Sequence, residues 1–398
     1  MACVDLNLDV LGTSFAVVWG AGVTPAQRQS MAEAWNRCPG SPLPGTQATE
    51  PNTSGAPFTA SLYFNSKRPG AGVKHLGSGT FEGLAEAVTS ELTIAAILER
   101  AGELTMLHAC GVAGPDGGVI ALVAKSGTGK TTASKQLART FGYITDETVA
   151  IRPNGTVLPY PKPLSVKQAT PGAAKLQVGP DELALQVAPD NPRIASIALL
   201  DRVSGADYQL PVIEPVPLVE AVLALTPETS SQAAVNQPLQ SLCRLIDSVG
   251  GVFRVSYSEA ADLKDSLAPL LLAKPLAAEA EWSPVLIGPD NQPAHPGAGQ
   301  ADPHPAEHPQ EPLPAGWLQT TSAVDAVEIG DDLLVLTDTQ LTKLSGIGPA
   351  IWRSAQRPVS LQTLASSIEA EHGLPDGYEA LLEGAIDGLI GQGLLRRG

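Results

Sequence analysis

Apolar positions along the chain fall either into short runs that suit strands or into longer stretches spaced like one face of a helix. "LGTSFAVVW" (Leu11 to Trp19) predicts a strand, and "TPAQRQSMAEAWNR" from Thr24 predicts a helix with a threonine cap and proline at its first position. Turn residues fill Cys38 to Pro57, an expected exposed loop before the strand "FTASLYF". "TFEGLAEAVTSELTIAAILERAG" then sets Leu84, Val88, Leu92 and Ala95 on one helical face. "LTMLHACGVAGPDGGVIALVA" holds two apolar runs joined by Pro-Asp-Gly-Gly, a hairpin whose second strand leads into a glycine-rich loop and a helix reaching about Phe141.

"GYITDETVAI" predicts a further strand that turns at "RPNGT" to pair with "VLPY", and "IASIALLDRV" and "GVFRVSY" predict two more. The pattern is lost from Glu281 to Trp317, where Pro, Ala and His crowd into a semi-rigid linker. Beyond it, "AVDAVEIGDDLLVLT" predicts two strands around an acidic turn, followed by helices near Gly348, Ser360 and Gly377. The last helix carries Tyr378, Leu381, Leu382, Ala385, Ile386, Leu389 and Ile390 on one face. Strands followed by three short helices suggest a winged-helix-like module.

Composition narrows the function classes. The 398 residues suffice for two or three domains. A net charge of -16 removes any general affinity for nucleic acid or anionic membrane. The start "MACVDLNLDV" lacks the basic flank of a signal peptide, and no apolar stretch approaches a membrane span, so the cytoplasm is the expected location. Cys3, Cys38, Cys110 and Cys243 are widely separated and read as reduced thiols. His295, His304 and His308 lie in the proline-rich run, without the rigid frame a metal site needs.

The candidate chemistry begins at Ala124 to Thr131, "AKSGTGKT", which departs from GxxxxGK[ST] only by alanine at the first glycine position. Ser126, Gly127, Thr128 and Gly129 form a turn whose N–H groups face phosphate oxygens. Lys130 neutralises the outer phosphates, Thr131 offers a hydroxyl to Mg2+, and Thr132 completes the expected nucleotide-binding set. The expected ligands are ATP and Mg2+. "ITDET" follows shortly, ending an apolar strand with Asp146 and Glu147, two carboxylates that can divide metal binding and proton acceptance. His108 precedes the hairpin and reads equally well as a structural residue or a member of the site.

The order "LHACGV", "GGVIALVAKSGTGKTT", "GYITDE" resembles the catalytic core of HPr kinase and of the related peptide-serine kinases of lasso-peptide clusters, over roughly Gly102 to Asp262. The resemblance implies that Lys130 and Thr131 hold nucleotide and metal, and that Asp146 is the base toward a serine hydroxyl, with His108 nearby. Asp-Glu stands here where that family usually has Asp-Asp, so the division of labour between Asp146 and Glu147 stays open. The glycine-rich segment that HPr kinases carry after the core has no counterpart, and HPr is not the expected acceptor.

The final segment, with "LSGIGPAIW", "SLQTLASSI" and "LIGQGLL", resembles the PqqD-like recognition domains of ribosomal-peptide pathways. From Trp317 onward, 5 basic against 11 acidic residues leave a local charge of -6, which disfavours the DNA binding common among winged helices. The resemblance implies a leader peptide added as a strand beside the sheet.

The expected fold class is α/β. Residues 1–101 form a small α+β region, 102–280 a P-loop core like the C-terminal part of HPr kinase, 281–316 a linker and 317–398 a winged-helix PqqD-like domain. The leading function is an ATP-dependent serine kinase acting on a ribosomally made precursor peptide. The alternative is a nucleotide-switched peptide chaperone or adaptor that transfers no phosphate. Other peptide-modifying enzymes and a second copy of the chain stay open as partners.

Overall fold

A computed structural model describes residues 4–43, 49, 55–67, 72–125, 127–203, 211–272, 280–288, 312–338, 340–373 and 377–398, the side chains of residues 371 and 372 excepted. Ser126, Cys3, most of the loop after Cys38 and the three linker histidines lie outside them.

The chain begins with β1 (Leu6–Val10) and β2 (Thr13–Trp19). Val10 pairs with Thr13, and both residues between them have positive φ, Leu11 at 52° and Gly12 at 78°. That is the two-residue turn favoured by strand twist, so the expected strand starts two residues later and gains an unanticipated partner. Helix α1 (Pro25–Ala34) starts from a capping box in which Gln27 N donates to Thr24 Oγ1 and Thr24 N to Gln27 Oε1. β3 (Phe58–Phe64) and β4 (Val73–Ser78) complete an antiparallel sheet in the order β1-β2-β3-β4. Helix α2 (Phe81–Glu99) buries Leu84, Val88, Leu92 and Ala95, the face expected from its spacing.

Next come β5 (Thr105–Leu107), β6 (Ala109–Ala113), β7 (Gly118–Val123), α3 (Lys130–Leu137), β8 (Gly142–Thr145), β9 (Val149–Ile151) and β10 (Val157–Leu158). They are followed by β11 (Leu164–Val166), β12 (Leu176–Val178), β13 (Gln186–Val187), β14 (Arg193–Arg202), β15 (Val212–Val216), α4 (Leu218–Leu225), β16 (Thr229–Ser230), α5 (Pro238–Ser248), β17 (Val252–Tyr257) and α6 (Leu263–Leu267). A seven-stranded mixed sheet runs β13-β8-β6-β7-β14-β17-β15, with β7, β14 and β17 mutually parallel. β7 is buried from Val119 to Val123 without alternation, as a central strand covered on both faces requires. A second sheet runs β10-β9-β5-β16.

Two expected strands are each broken between these sheets. The apolar run around His108 splits into β5 and β6, and "GYITDETVAI" splits into β8 and β9. Leu107 pairs with Val149 in one sheet and Gly111 with Thr145 in the other, so both segments cross the same seam, at His108 and at Asp146–Thr148. Helix α3 ends four residues earlier than Phe141. One core cluster joins the first sheet and α2 to Met106, Ala150 and Tyr160, and another packs α3 and α6 against β6, β7, β8, β14 and β17. Residues 1–101 therefore share a core with β5, β9 and Tyr160, while the glycine loop and α3 pack in the other cluster.

The last segment contains β18 (Trp282–Pro284), β19 (Trp317–Thr320), β20 (Asp325–Ile329), β21 (Asp332–Leu336), β22 (Leu341–Leu344), α7 (Gly348–Ser354), β23 (Val359–Ser360), α8 (Leu361–His372), α9 (Tyr378–Gly391) and β24 (Leu395–Arg397). Its antiparallel sheet runs β18-β20-β21-β22, and a smaller one runs β23-β19-β24. The first residues of the expected linker thus form a strand, Trp282 pairing with Ile329. The chain divides into two compact units: Met1–Pro217, Ala224–Val235 and Leu245–Ala278 in one, and Leu218–Leu223, Asn236–Arg244 and Glu279–Gly398 in the other. The architecture is mixed α/β, and among the described residues no helix is long and apolar enough to cross a membrane.

Candidate functional site

The glycine loop leaves the end of β7, in the middle of the large sheet, and enters α3. Gly127 and Gly129 have φ of 86° and 104°, values that a side chain would strain. A Cβ would meet nothing within 4 Å at Gly127 and only the Tyr257 hydroxyl, 3.6 Å away, at Gly129. Ala124 lies outside the left-handed region, which explains why the first loop position needs no glycine. Thr128 Oγ1 donates to the Lys125 carbonyl at 2.6 Å and tightens the turn.

Lys130 opens α3, is 8% exposed and donates through Nζ to the carbonyl oxygen of Ala124. Burial lowers its proton affinity, an effect opposed by Glu228, Glu147 and Asp146 among others. Thr131 Oγ1 lies 3.3 Å from Asp146 Oδ2. Thr132 is exposed at the next position of the helix. Of the expected loop residues, the structure therefore gathers Gly127, Thr128, Gly129, Lys130 and Thr131 at one end of α3, while Ser126 falls outside the described residues.

Asp146 and Glu147 sit in a bend held by Thr145, whose hydroxyl accepts from Glu147 N at 3.2 Å and Thr148 N at 3.3 Å. Asp146 is 4% exposed, and its Oδ1 receives Lys162 Nζ at 2.8 Å and the Tyr143 hydroxyl at 3.4 Å. Glu147 Oε2 lies 3.2 Å from the same Nζ, but its side chain keeps 38% exposure. Burial alone would raise the Glu147 carboxyl, yet the charge and hydrogen bond of Lys162, with help from His108, hold it below the ordinary range.

His108 faces the same seam. Its backbone N–H donates to Glu228 O at 2.6 Å. Burial and then the Lys130 charge lower its proton affinity, with Glu147 and Glu228 pulling the other way, so the imidazole is neutral at pH 7. The seam between the two sheets brings His108 and the acidic pair, far apart in sequence, to one place.

Two residues escaped the sequence reading. Glu228 acts electrostatically on both Lys130 and His108. Lys162 is 1% exposed, and although burial opposes its charge, Asp146 and Glu147 raise its proton affinity overall. The available signal was a lysine between two prolines in "VLPYPKPLSV", where Val157, Tyr160 and Leu164 are buried.

Cys38, Cys110 and Cys243 are buried free thiols, and burial pushes Cys38 and Cys110 up to about 12, which favours the protonated thiol in both. A cavity of about 200 Å³ lined by Gly12, Asn65, Lys67, Glu99 and Arg100 belongs to the N-terminal sheet and contains no residue of the glycine loop.

No protein-family model matches the chain, and no curated protein matches it. Among solved structures, the HPr(Ser) kinase/phosphatase from Coxiella burnetii matches over 42% of this chain and 88% of its own, at 11% identity and a TM-score of 0.22. A likeness at that level fixes neither fold nor activity.

Proposed function

We propose that the chain is an ATP- and Mg2+-dependent kinase that phosphorylates a serine hydroxyl of a peptide. The observation that carries this reading is the contact between Thr131 and Asp146, with Glu147 beside it. It sets a hydroxyl at the end of the glycine loop 3.3 Å from a carboxylate oxygen, close enough for both to reach one cation.

The residues present fit the ligands. The cradle at Gly127 and Gly129 is open to phosphate, and Lys130 stands at the first turn of α3, where the helix end adds partial positive charge. Mg2+ takes one or two carboxylates together with substrate phosphates, and a carboxylate beside the glycine loop suits that habit. Thr131 Oγ1 and Asp146 Oδ2 would hold it. Mg2+ bound there supplies positive charge to the phosphate oxygens.

Burial divides the acidic pair in the opposite sense from the HPr kinase resemblance. Asp146 is enclosed and faces Thr131, which suits metal. Glu147 is the more exposed carboxylate, within reach of an acceptor, and is ionised and able to take a proton, although Lys162 lowers its basicity. In this reading Glu147 accepts the proton of the serine hydroxyl while its oxygen attacks the γ-phosphate and ADP leaves. Neutral His108, near both Lys130 and Glu147, orients the acceptor without adding charge.

The C-terminal segment is proposed as a winged-helix, PqqD-like recognition domain for the leader of a precursor peptide. Its sheet ends at β22, and among the described strands nothing pairs with the outer edge of β22, a position suited to strand addition. Such a domain raises the local concentration of its peptide.

The test is single-turnover transfer from γ-labelled ATP to a serine-containing peptide library, read as phosphoserine. ADP formation without phosphopeptide would favour the nucleotide-switched chaperone instead.

A further inference from the structure

Lys162 is enclosed at the meeting point of the acidic pair. Its Nζ lies 2.8 Å from Asp146 Oδ1 and 3.2 Å from Glu147 Oε2, and donates to Pro163 O at 3.2 Å. Three acceptors satisfy the three protons of an ammonium group. The backbone that delivers it is tied to β8: Tyr160 N donates to Ile144 O at 2.9 Å, and the Tyr143 hydroxyl donates to Lys162 O at 3.1 Å. Prolines on both sides restrict the segment further.

These contacts occupy one oxygen of each carboxylate. Asp146 Oδ1 and Glu147 Oε2 are turned to the lysine, which leaves Asp146 Oδ2 toward Thr131 and Glu147 Oε1 for another partner. We propose that Lys162 is a positioning residue for the site: an internal cation that lets two adjacent carboxylates stand together and aims Asp146 Oδ2 at the divalent ion that arrives with the nucleotide. The assignment rests on the reading of the glycine loop as a nucleotide site.

A lysine with this role acts on the metal-dependent part of nucleotide binding and not on the part supplied by Lys130 and the loop. Without it, two carboxylates face each other without a counter-charge, and Asp146 loses the contact that fixes its rotation. A lysine that served only the core would leave both parts intact or weaken both together.

The experiment measures binding of a non-hydrolysable ATP analogue to the full chain, once in a chelator and once in saturating Mg2+. In Lys162→Met the metal-free affinity should match that of the natural chain, while the gain on adding Mg2+ falls by about tenfold or more, the usual effect of removing a partner behind a metal ligand. Lys162→Arg keeps the charge but spreads it over a planar fork that cannot sit between the same three acceptors, and should retain an intermediate gain. If the methionine variant does not fold, the arginine variant carries the test through a reduced gain at unchanged metal-free affinity. An undiminished Mg2+ gain, or an equal loss with and without metal, would overturn the assignment. A natural chain that binds no nucleotide in either condition would remove the nucleotide reading itself, and this assignment with it.

Discussion

Thr131 Oγ1 and Asp146 Oδ2 stand 3.3 Å apart, one on the first turn of the helix after the glycine loop and the other just past the end of β8. Neither residue type is unusual in its own segment. Their juxtaposition follows from β6, which pairs with β7 on one side and β8 on the other, so that the loop and the acidic bend emerge as near neighbours. If this contact marks the metal position, Asp146→Asn and Thr131→Ala should leave metal-free nucleotide binding intact and weaken its Mg2+ dependence, Asp146→Asn the more. Titrating Mg2+ at fixed nucleotide measures both. An unchanged Mg2+ midpoint in the two variants would place the ion elsewhere.

Lys130→Ala should reduce nucleotide affinity by about 30-fold or more, the equivalent of roughly 2 kcal/mol for a charge-assisted hydrogen bond. The fold should persist, because Nζ donates to a single backbone carbonyl, that of Ala124, at the start of the loop. Calorimetric titration with the analogue, beside a thermal unfolding curve, reads both properties. Unaltered affinity would remove the loop from the site.

Much of this arrangement was legible in sequence, for local reasons. The glycine loop, the capped helix at Thr24 and the apolar face of α2 depend on residues a few positions apart, and all are found where the pattern put them. β1 could also have been read, since "LNLDV" alternates strictly, whereas β4 is a largely exposed edge strand whose sequence carries little period. The breaks at His108 and at Asp146–Thr148 were not legible as changes of sheet, because apolar residues resume beyond the polar ones in each run and the pattern of one segment does not say which strand it will pair with. Lys162 was hidden for a related reason: its partners lie about fifteen residues back, and a buried lysine is recognised only once its carboxylates are in view.

The two carboxylates should separate kinetically. Glu147→Gln should slow single-turnover phosphoryl transfer by about a hundredfold or more while sparing Mg2+-dependent binding, as expected when a base is removed. Asp146→Asn should lose transfer together with the Mg2+ dependence of binding. If Asp146→Asn keeps its Mg2+ gain and still loses transfer, the base is Asp146, as the HPr kinase resemblance implies.

His108 gives a pH signature. Its folded pKa lies below the ordinary value of 6.5, through burial and the Lys130 charge. Between those two values the unfolded chain binds more protons than the folded one, so stability rises with pH across the window and is lost as pH falls below 6.5. His108→Gln should flatten that slope, and denaturation midpoints on either side of the window will show it. An imidazole resonance that titrates above 6.5 would contradict the neutral assignment.

The C-terminal module should act on substrate use and not on chemistry. Added in trans, an excess of a precursor's leader segment should inhibit transfer to the full-length precursor and leave transfer to a leaderless peptide unchanged, because only the former depends on local concentration. Equal inhibition of both would place leader binding at the kinase site.

The most direct measurement follows the γ-phosphate itself. The natural chain, Lys130→Ala and Glu147→Gln are each mixed with γ-labelled ATP, Mg2+ and the serine peptide library, and the phosphoserine formed in one turnover is quantified by mass spectrometry beside the ADP released. The expected result is phosphoserine and ADP in equal amounts from the natural chain, little of either from Lys130→Ala, and bound but untransferred nucleotide in Glu147→Gln. ADP released by the natural chain at full rate with no phosphoserine formed would contradict the kinase account.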